Sequence, residues 1–429
     1  MLSRMRLDIG WTDIAAGLAH CVLAHHRERL QEQVERHWSR EGNSLACLSV
    51  RTGFDLLLKS LDLPPKSEII TSALTIKDMV RIIEENGLVP VPVDLDLNRL
   101  APDLDKLRSA ITPRTRVILV AHLFGTRLNL EPVLNLAREH GLLVIEDCAQ
   151  AYVGPNFTGH PQVDVSMFSF GPIKTATALS GGILKVNNPD VLERMRRQQE
   201  TYPVQDRWFF FKRLLKYSSL KFGSTPRMYD LMIRLWRAMG KDYDKVVSHT
   251  VKGFPGPDFF KRIRKRPSAP ALALLLRRLA KFNARGLAER TAKGERLAEL
   301  IGGSAFRPGE TVPRHSYWVF PVMTTQPERL IEALRAAKFD AAMGHSLYVV
   351  DPPTDRPALE PRAAREARAT IVYLPWFTDF PLSKLERMAE IVREHCLPHA
   401  AQAAIWRKGE PVEGPVERHS PETKSGVAV

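Results

Sequence analysis

The sequence predicts an α/β protein built on a parallel-rich, doubly wound sheet. Short apolar runs alternate in its first half with amphipathic segments of about 10 to 15 residues, the pattern of strands and crossover helices. The apolar run at residues 142–145 ends abruptly in Glu146 and Asp147. We expect a strand buried on both faces to end in this way at the ligand-binding edge of such a sheet.

The first 44 residues are predicted to be helical, because residues 12–38 place apolar side chains on one side and many charges in the second half. Three histidines lie there: His20, His25 and His26. No carboxylate or cysteine stands in register with them, so we interpret them as solvated and predict no metal site.

The next elements are a strand at 45–50 and a helix at 52–61, which predict a strand-to-helix turn at 49–53. Helix N-termini hold phosphate well, because their free N–H groups and their dipole both favour anions. Ser49, Arg51 and Thr52 lie in this turn. Arg51 is either an anion ligand or an ordinary surface arginine, and the residues alone favour neither.

Further strands are predicted at 68–73, 90–93, 116–123 and 181–186, with helices at about 75–86 and 189–199. The strand at 116–123 ends in the sequence HLFG, which begins at His122. A lone histidine after a strand is more often structural than functional.

A second apolar run delivers Lys174 inside a Gly- and Thr-rich turn. An aspartate at a strand end can keep a pyridine nitrogen protonated, and a desolvated lysine can form a Schiff base with an aldehyde, as pyridoxal phosphate (PLP) requires. The alternative is a turn aspartate and a solvated lysine. Position alone favours that ordinary interpretation.

Two motifs change this balance. Residues 146–150 are EDCAQ, and residues 168–174 are FSFGPIK. Together they resemble the E-D-x-A-Q and F-S-F-x-P-x-K segments of the DegT/DnrJ/EryC1/StrS family, the PLP-dependent aminotransferases of sugar nucleotides. The resemblance implies a type I, aspartate aminotransferase-like fold, with a large parallel-rich sheet domain and a small C-terminal α+β domain.

The resemblance also implies roles for individual residues. Lys174 would be the catalytic Schiff-base lysine, Asp147 would hold the pyridinium, and Gln150 would pack on the ring or its hydroxyl. Ser169, Arg51 and the turn with Ser49 would bind the phosphate. The predicted cofactor-binding set also includes Thr52, Ala149, Ile76, His122 and Arg264.

Several positions depart from the family pattern. The family's S-G-T-x-A-L turn is SVRTGF here, its stacking aromatic is Ile76, and its E-G-G is Ser180-Gly181-Gly182. Arg264 takes the place of an asparagine that touches the phosphate from the partner subunit. Arg51 and Arg264 would make that site unusually cationic, although a solvated charge run is the alternative for the cluster around Arg264.

We divide the chain into five parts on this basis: an N-terminal helical segment at 1–44, a large PLP-binding α/β domain at 45–202, a basic amphipathic helical insert at 203–266, a bridging helix with a small C-terminal domain at 267–399, and a disordered tail at 400–429. The bridging helix is predicted as one helix over 269–300.

The insert is the part least like the family. Its segment RWFFFKRLLKYSSLKF alternates bulky apolar and basic residues, and a helical stripe follows at Met228, Leu231, Met232, Leu235 and Met239. The stripe would pack on this protein or on a second subunit, the commoner outcome. The minority interpretation is peripheral contact of residues 207–241 with an anionic membrane.

Composition sets the broader class. The 429 residues carry a formal net charge of +14, which suits acidic partners such as nucleotide phosphates or anionic lipids. The basic residues match no nucleic-acid-binding motif, so we predict no nucleic-acid partner. Four widely spaced cysteines, and the lack of any signal-peptide or membrane-spanning pattern, favour a cytoplasmic protein, with surface association as an option.

The leading hypothesis is a homodimeric PLP-dependent aminotransferase, with dimerisation implied by the family. It would move an amino group from an amino acid donor, with glutamate expected, to a nucleotide-linked keto-sugar. A lysine-retaining sugar dehydratase of the same family is one alternative. Another is a non-catalytic binding or regulatory protein on the same fold, which the altered phosphate turn, Ile76 and Ser180 keep open.

Overall fold

A computed structural model describes residues 1–23, 25–240, 244, 254, 258–344 and 346–396. The predicted tail at 400–429 lies outside the described residues, as does part of the insert. The strands are β1 Ser44–Cys47, β2 Glu68–Ser72, β3 Leu74–Thr75, β4 Val89–Val93, β5 Leu95–Asp96, β6 Ala101–Pro102, β7 Thr115–Ala121, β8 Leu143–Asp147, β9 Val165–Ser169, β10 Gly182–Val186, β11 Phe320–Met323, β12 Ala342–Met343, β13 Tyr348–Val349 and β14 Ile371–Leu374.

The described helices fall before, between and after these strands. They are Trp11–Val22, Arg27–Trp38, Val50–Ser60, Lys77–Glu85, Leu104–Ala110, Glu131–His140, Pro189–Glu200, Arg207–Gly223, Pro226–Ala238, Phe259–Ile263, Ala269–Ala280, Ala284–Ile301, Pro327–Ala336, Arg362–Thr370 and Leu385–His395, with short 3-10 turns at Gly302–Ser304, Pro357–Leu359 and Leu382–Lys384.

The large sheet has the strand order β1-β10-β9-β8-β7-β2-β4. Only β10 runs antiparallel to its neighbours, β1 and β9, and the other pairs are parallel. Its central strands are buried because helices cover both faces of the sheet. The strand Thr115–Ala121 is an example, and most of its side chains are β-branched, as strands favour. The predicted parallel-rich α/β sheet is therefore confirmed.

Two segments predicted as single helices are each divided in two. The segment at 12–38 breaks after Val22, where Leu23 adopts an extended backbone. The segment at 269–300 breaks at 281–283, where the Asn283 side chain accepts a hydrogen bond from Gly286 N and so begins a new helix. The apolar periodicity continues on both sides of each break, which is why the pattern concealed it.

The small domain is built on the sheet β11-β14-β12, packed against the helices Pro327–Ala336 and Leu385–His395. A second contact joins it to the large domain, because β13 pairs with β3. Val350 N extends this ladder by donating to Ala73 O at 2.9 Å. The backbone just before Ile76 is thus hydrogen-bonded to the small domain.

The insert forms helices along the N-terminal segment. The helix Arg207–Gly223 buries Phe210, Leu214 and Tyr217, and the helix Pro226–Ala238 packs through Tyr229 and Ile233 against Met1. The predicted stripe does not form the packed side of this second helix, since its members Leu231, Leu235 and Met239 are exposed. Among the described helices, none combines the length and apolarity that crossing a bilayer requires.

Candidate active site

The site lies where parallel strands of the large sheet end. Asp147 is the last residue of β8 and Ser169 the last of β9. Ala121, at the end of β7, is in register with Asp147, and Gly182, at the start of β10, is in register with Ser169. Since parallel strands end at one edge, the residues singled out from the sequence meet there.

Asp147 lies deep at this sheet edge and is partly exposed. We call the space in front of this edge the cleft. Its Oδ1 accepts a hydrogen bond from Ala149 N at 2.8 Å, and no described residue donates to its Oδ2. Burial raises the pKa of this carboxyl above its ordinary value, although Ala149 N and the charge of Lys174 oppose the shift. A cationic group placed against Oδ2 would therefore be stabilised.

Lys174 faces the same cleft. Its Nζ makes no hydrogen bond or ion pair with any described residue and lies 4.1 Å from the centre of the Trp318 ring. Burial lowers the pKa of this amine to about 8, with Asp147 opposing the shift and Arg51 adding to it. A lysine in this state carries a sizeable neutral fraction near neutral pH and is a competent nucleophile.

The loop that carries Lys174 is held in an uncommon conformation. Ala176 and Leu179 have left-handed φ angles of 54° and 62°, which disfavours non-glycine residues by roughly 1–2 kcal/mol each. Ala176 N donates to the Asp8 carboxylate at 2.6 Å, and Thr177 Oγ1 donates to Gly171 O at 2.6 Å. These hydrogen bonds stabilise the loop and offset the cost of its strained backbone.

Trp318 reaches the site from the segment that enters the small domain. Its Nε1 donates to Ile173 O at 2.9 Å. Arg290, which is buried, donates through Nε to Ser316 O at 3.0 Å and through a terminal nitrogen to Thr175 Oγ1 at 3.3 Å. Burial lowers the pKa of this guanidinium to about 10. The hydrogen bonds of Trp318 and Arg290 therefore join the segment that enters the small domain to Ile173 and Thr175, the residues on either side of Lys174.

Trp318, Arg290 and Asp8 were not singled out from the sequence. Trp318 lies within the segment HSYWVFPV, which carries no sign of its hydrogen-bond partner Ile173. Asp8 and Arg290 act through contacts with distant segments, so the residues around them in the sequence did not indicate their roles.

The turn at the end of β1 starts the helix Val50–Ser60. Ser49 Oγ accepts from Thr52 N at 3.2 Å, and Thr52 Oγ1 donates to Ile263 O at 2.8 Å. The first N–H groups of a helix lack partners within it and can receive an anion. β10 passes so close that a Cβ at Gly182 would lie 2.5 Å from Val50 N, so only glycine fits there.

The two predicted phosphate arginines occupy different surroundings. Arg51 donates through Nε to Asp78 Oδ2 at 2.6 Å, and its charge reaches both Lys174 and Asp147. Arg264 instead binds the buried Asp55 through two bonds of 3.1 Å and Glu85 through one of 3.0 Å. Arg51 therefore belongs to the cleft, whereas the guanidinium of Arg264 is engaged by two carboxylates.

His122 is buried under the site. Its Nδ1 accepts from Leu128 N at 3.1 Å, so its Nε2 carries the proton and donates to Glu146 at 2.9 Å. Burial alone would raise the pKa of Glu146, but bonds from His122, Ser166 and His160 N hold it below its ordinary value. Cys148 lies close enough for the three side chains to resemble a metal-ligand set, yet the histidine and the carboxylate already satisfy each other.

The remaining predicted residues line the same edge. Gln150 Oε1 accepts from Phe124 N at 2.7 Å, and Phe124 is left-handed with φ 58°. Ile76 is the half-buried residue that precedes the helix Lys77–Glu85 and packs on the main core. The structure thus places Lys174, Asp147, Ala149, Gln150, Ser169, Ser49 and Arg51 at one sheet edge, with Ile76 at the start of the helix that follows β3. The side chains of His122, Thr52 and Arg264 are held by other parts of the protein.

A family model describes most of this chain: the DegT/DnrJ/EryC1/StrS aminotransferase family model matches residues 23–393. Among curated relatives, the chain is 36% identical over 172 residues to GDP-perosamine synthase from Caulobacter vibrioides, which is 39% of this chain and 46% of that protein. It is 32% identical over 170 residues to UDP-4-amino-4-deoxy-L-arabinose–oxoglutarate aminotransferase from Shewanella sediminis, 39% of this chain and 43% of that protein. The chain spans less than half the length of these relatives.

Solved structures share the fold along nearly the whole chain. The aminotransferase TlmJ from Streptoalloteichus hindustanus superimposes with a TM-score of 0.66 at 18% identity and covers 94% of this chain and 100% of that one. NtdA from Bacillus subtilis, solved with bound cofactor PMP, gives a TM-score of 0.65 at 17% identity over 90% of this chain and 82% of that one. At these identities the likeness establishes the fold, which confirms the predicted type I architecture.

Proposed function

Because this chain belongs to the DegT/DnrJ/EryC1/StrS aminotransferase family, we propose that it is a PLP-dependent aminotransferase of nucleotide-linked keto-sugars. The donor would be an amino acid, with glutamate expected. Sugar-nucleotide substrates are supported by two relatives, a GDP-perosamine synthase and a UDP-4-amino-4-deoxy-L-arabinose–oxoglutarate aminotransferase. The observation that carries the proposal is that Asp147 and Lys174 lie at one sheet edge, and that no described residue forms a hydrogen bond with Asp147 Oδ2 or Lys174 Nζ.

The residues of the cleft fit PLP. Asp147 keeps one carboxylate oxygen for a pyridine nitrogen, and Lys174 keeps an unpaired amine for an aldehyde. The turn at Ser49, with the charge of Arg51 beside it, offers N–H groups and a cation to a phosphate. Ile76 supplies an apolar wall where the family has an aromatic ring.

When bound, PLP would supply an aldehyde carbon and a ring that accepts an electron pair. The protein would contribute position and charge. Asp147 would hold the ring nitrogen protonated, and Ser49, Arg51 and Ser169 would anchor the phosphate. Gln150, fixed by Phe124 N, would limit the tilt of the ring.

Lys174 would act as the proton carrier once its amine is free. A pKa of about 8 allows Nζ to accept a proton from the substrate carbon and return it on the cofactor side. Trp318, 4.1 Å from Nζ, restricts where the amine can move. Asp8, Arg290 and the strained loop would keep that position constant during turnover.

We also propose that the protein acts as a homodimer in the cytoplasm, as the family resemblance implies, with light scattering in the presence of PLP as the test. A monomer under those conditions would contradict the dimer without affecting the assignment of Lys174.

The activity is tested on purified protein given PLP and then glutamate. We expect visible absorbance from protein-bound cofactor, loss of that absorbance with formation of 2-oxoglutarate, and, after borohydride reduction, a cofactor-modified peptide that contains Lys174. Lys174→Ala should abolish the formation of 2-oxoglutarate and the modified peptide, while Lys185→Ala, on the neighbouring strand β10, should preserve all three signals. Failure to retain PLP would contradict the proposal and favour a binding protein, whereas PLP capture without 2-oxoglutarate would favour a dehydratase.

A further inference from the structure

Exposed large apolar side chains are concentrated on three helices. In the described part of the chain, those outside this region are Leu104, Val204 and Leu382, while the others lie on or at the ends of the helices Trp11–Val22, Arg207–Gly223 and Pro226–Ala238: Trp11, Val22, Leu23, Trp208, Phe209, Leu215, Phe222, Leu231, Leu235 and Met239. Scattered exposed residues are ordinary, but a concentration marks an interaction surface. We call this surface the apolar-basic face.

The first two of these helices lie side by side in opposite directions. The ammonium of Lys221 is 5.7 Å from the Trp11 ring, Gly17 faces Leu214, and Arg207 is within electrostatic reach of Cys21. Trp11 therefore lies beside the end of the insert helix that carries Phe222. At the other end, Arg207 and Cys21 directly precede Trp208 and Val22 along the chain, so the exposed residues at both ends flank the contacts between the two helices.

The helix Arg207–Gly223 is apolar on two sides. Its inner side buries Phe210, Leu214 and Tyr217 against the protein. On its outer side Trp208, Leu215 and Phe222 recur every seven residues, which places them along one line of the helix. Packing among the described residues explains the inner side and leaves the outer line exposed.

The charge of the same helix is of one sign. It contains no Asp or Glu and carries the cations Arg207, Lys212, Arg213, Lys216 and Lys221. Lys212 and Lys216 are exposed between the outer apolar residues. Two copies of this face would bring like charges together, whereas an anionic surface would satisfy them.

We propose that the apolar-basic face binds the surface of an anionic phospholipid bilayer. Trp208, Leu215 and Phe222 would enter the headgroup region, and Lys212 and Lys216 would meet lipid phosphates, as basic amphipathic helices do at membrane interfaces. The described helices are unsuited to crossing the bilayer, so the protein would lie on it. This binding does not depend on the proposed transaminase activity.

Flotation of the full chain with lipid vesicles tests the proposal. We expect binding to phosphatidylcholine vesicles that contain about one-third phosphatidylglycerol, and little binding to phosphatidylcholine alone. Raising salt from about 0.1 M to about 0.5 M should weaken binding, since it screens the charges. A triple variant, Trp208→Ser with Leu215→Ser and Phe222→Ser, and a charge variant, Lys212→Glu with Lys216→Glu, should each lower binding by about tenfold or more.

Matched controls use equally exposed residues elsewhere on the chain. Leu104→Ser with Leu382→Ser controls for lost apolar surface, and Arg329→Glu with Lys384→Glu controls for altered charge. Both should float as the wild type does. Urea unfolding verifies that each variant is folded, and the exposed Lys212 and Lys216 make the charge variant informative even if the triple variant unfolds.

Three results would overturn the proposal. The wild type could stay unbound to anionic vesicles, or the controls could lose binding as much as the variants do. The third is a lower oligomeric mass of the triple variant by light scattering, which would make the face a subunit contact. A positive result has its own signature, quenching of tryptophan fluorescence by brominated lipids that Trp208→Phe reduces.

Discussion

The amine of Lys174 lies 4.1 Å from the centre of the Trp318 ring, and the indole nitrogen of Trp318 donates a hydrogen bond to the carbonyl of Ile173, the residue before the lysine. The ring stabilises the charged amine, since a cation is attracted to an aromatic face. Burial stabilises the neutral amine instead. The protonation state of Lys174 is therefore set by opposing local effects.

We predict that Trp318→Leu lowers the pKa of Lys174 from its value of about 8, because the leucine cannot stabilise the charged amine. A cation–π contact contributes about 0.5–2 kcal/mol, so the pKa should fall by about 0.4 to 1.5 units. The pH dependence of PLP capture by the apo-protein measures it, with the midpoint moving to lower pH. Trp318→Phe loses the hydrogen bond but keeps a ring and is the control. An unchanged midpoint in the leucine variant would contradict the role of the ring.

Asp147→Asn should preserve the local fold and impair transamination. Asparagine can still accept the bond from Ala149 N, but it cannot hold a positively charged ring nitrogen. We expect the rate of glutamate-dependent transfer to fall on the order of 10²-fold or more, as when a preorganised catalytic charge is removed. Initial rates and urea unfolding at the same pH separate catalysis from stability. Full activity in the variant would remove Asp147 from the mechanism.

Arg51 should determine whether the cofactor phosphate is recognised. Its replacement by threonine, the residue at this position of the family turn, should weaken PLP binding by about tenfold or more, the usual value of a charge-assisted bond. Binding of pyridoxal, which lacks the phosphate, should change little. The same variant should raise the pKa of Lys174, because the charge of Arg51 lowers it. Equal loss of affinity for both ligands would indicate a structural role through Asp78 instead.

Glu146 should stabilise the fold in a pH-dependent way. Its folded pKa lies below the ordinary 4.5, so its contribution is present above about pH 4.5 and is lost as the pH falls through the folded value. Glu146→Leu leaves His122, Ser166 and His160 N without their acceptor and should cost about 3 kcal/mol or more at neutral pH. Urea unfolding at several pH values checks this. If the variant loses as much stability on acidification as the wild type does, the assignment to Glu146 is wrong.

The central strands could be predicted because their signal is local. An apolar run that ends in charged residues identified β8 and its terminal Asp147. A second apolar run identified β9, and Lys174 follows it in the sequence. The resemblance then supplied the fold type, which periodicity alone could not have specified.

The support around Lys174 could not be predicted because it comes from distant segments. Trp318 and Ile173 are 145 residues apart, and Asp8 and Ala176 are 168 residues apart. One signal was present but not used: Asp55 stands among apolar residues of a helix, and a buried carboxylate needs a cation. Lys59, four residues further along the helix, meets this requirement together with Arg264.

The pairing of β3 with β13 has a mechanical consequence. A rotation of the small domain that preserves this ladder must carry Leu74 and Thr75 with it, and therefore also moves Ile76, which follows them directly. The ladder thus transmits movement of the small domain to the large domain. Ligand-driven closure of the small domain would therefore be transmitted to Ile76, and loosening of this ladder would uncouple the two.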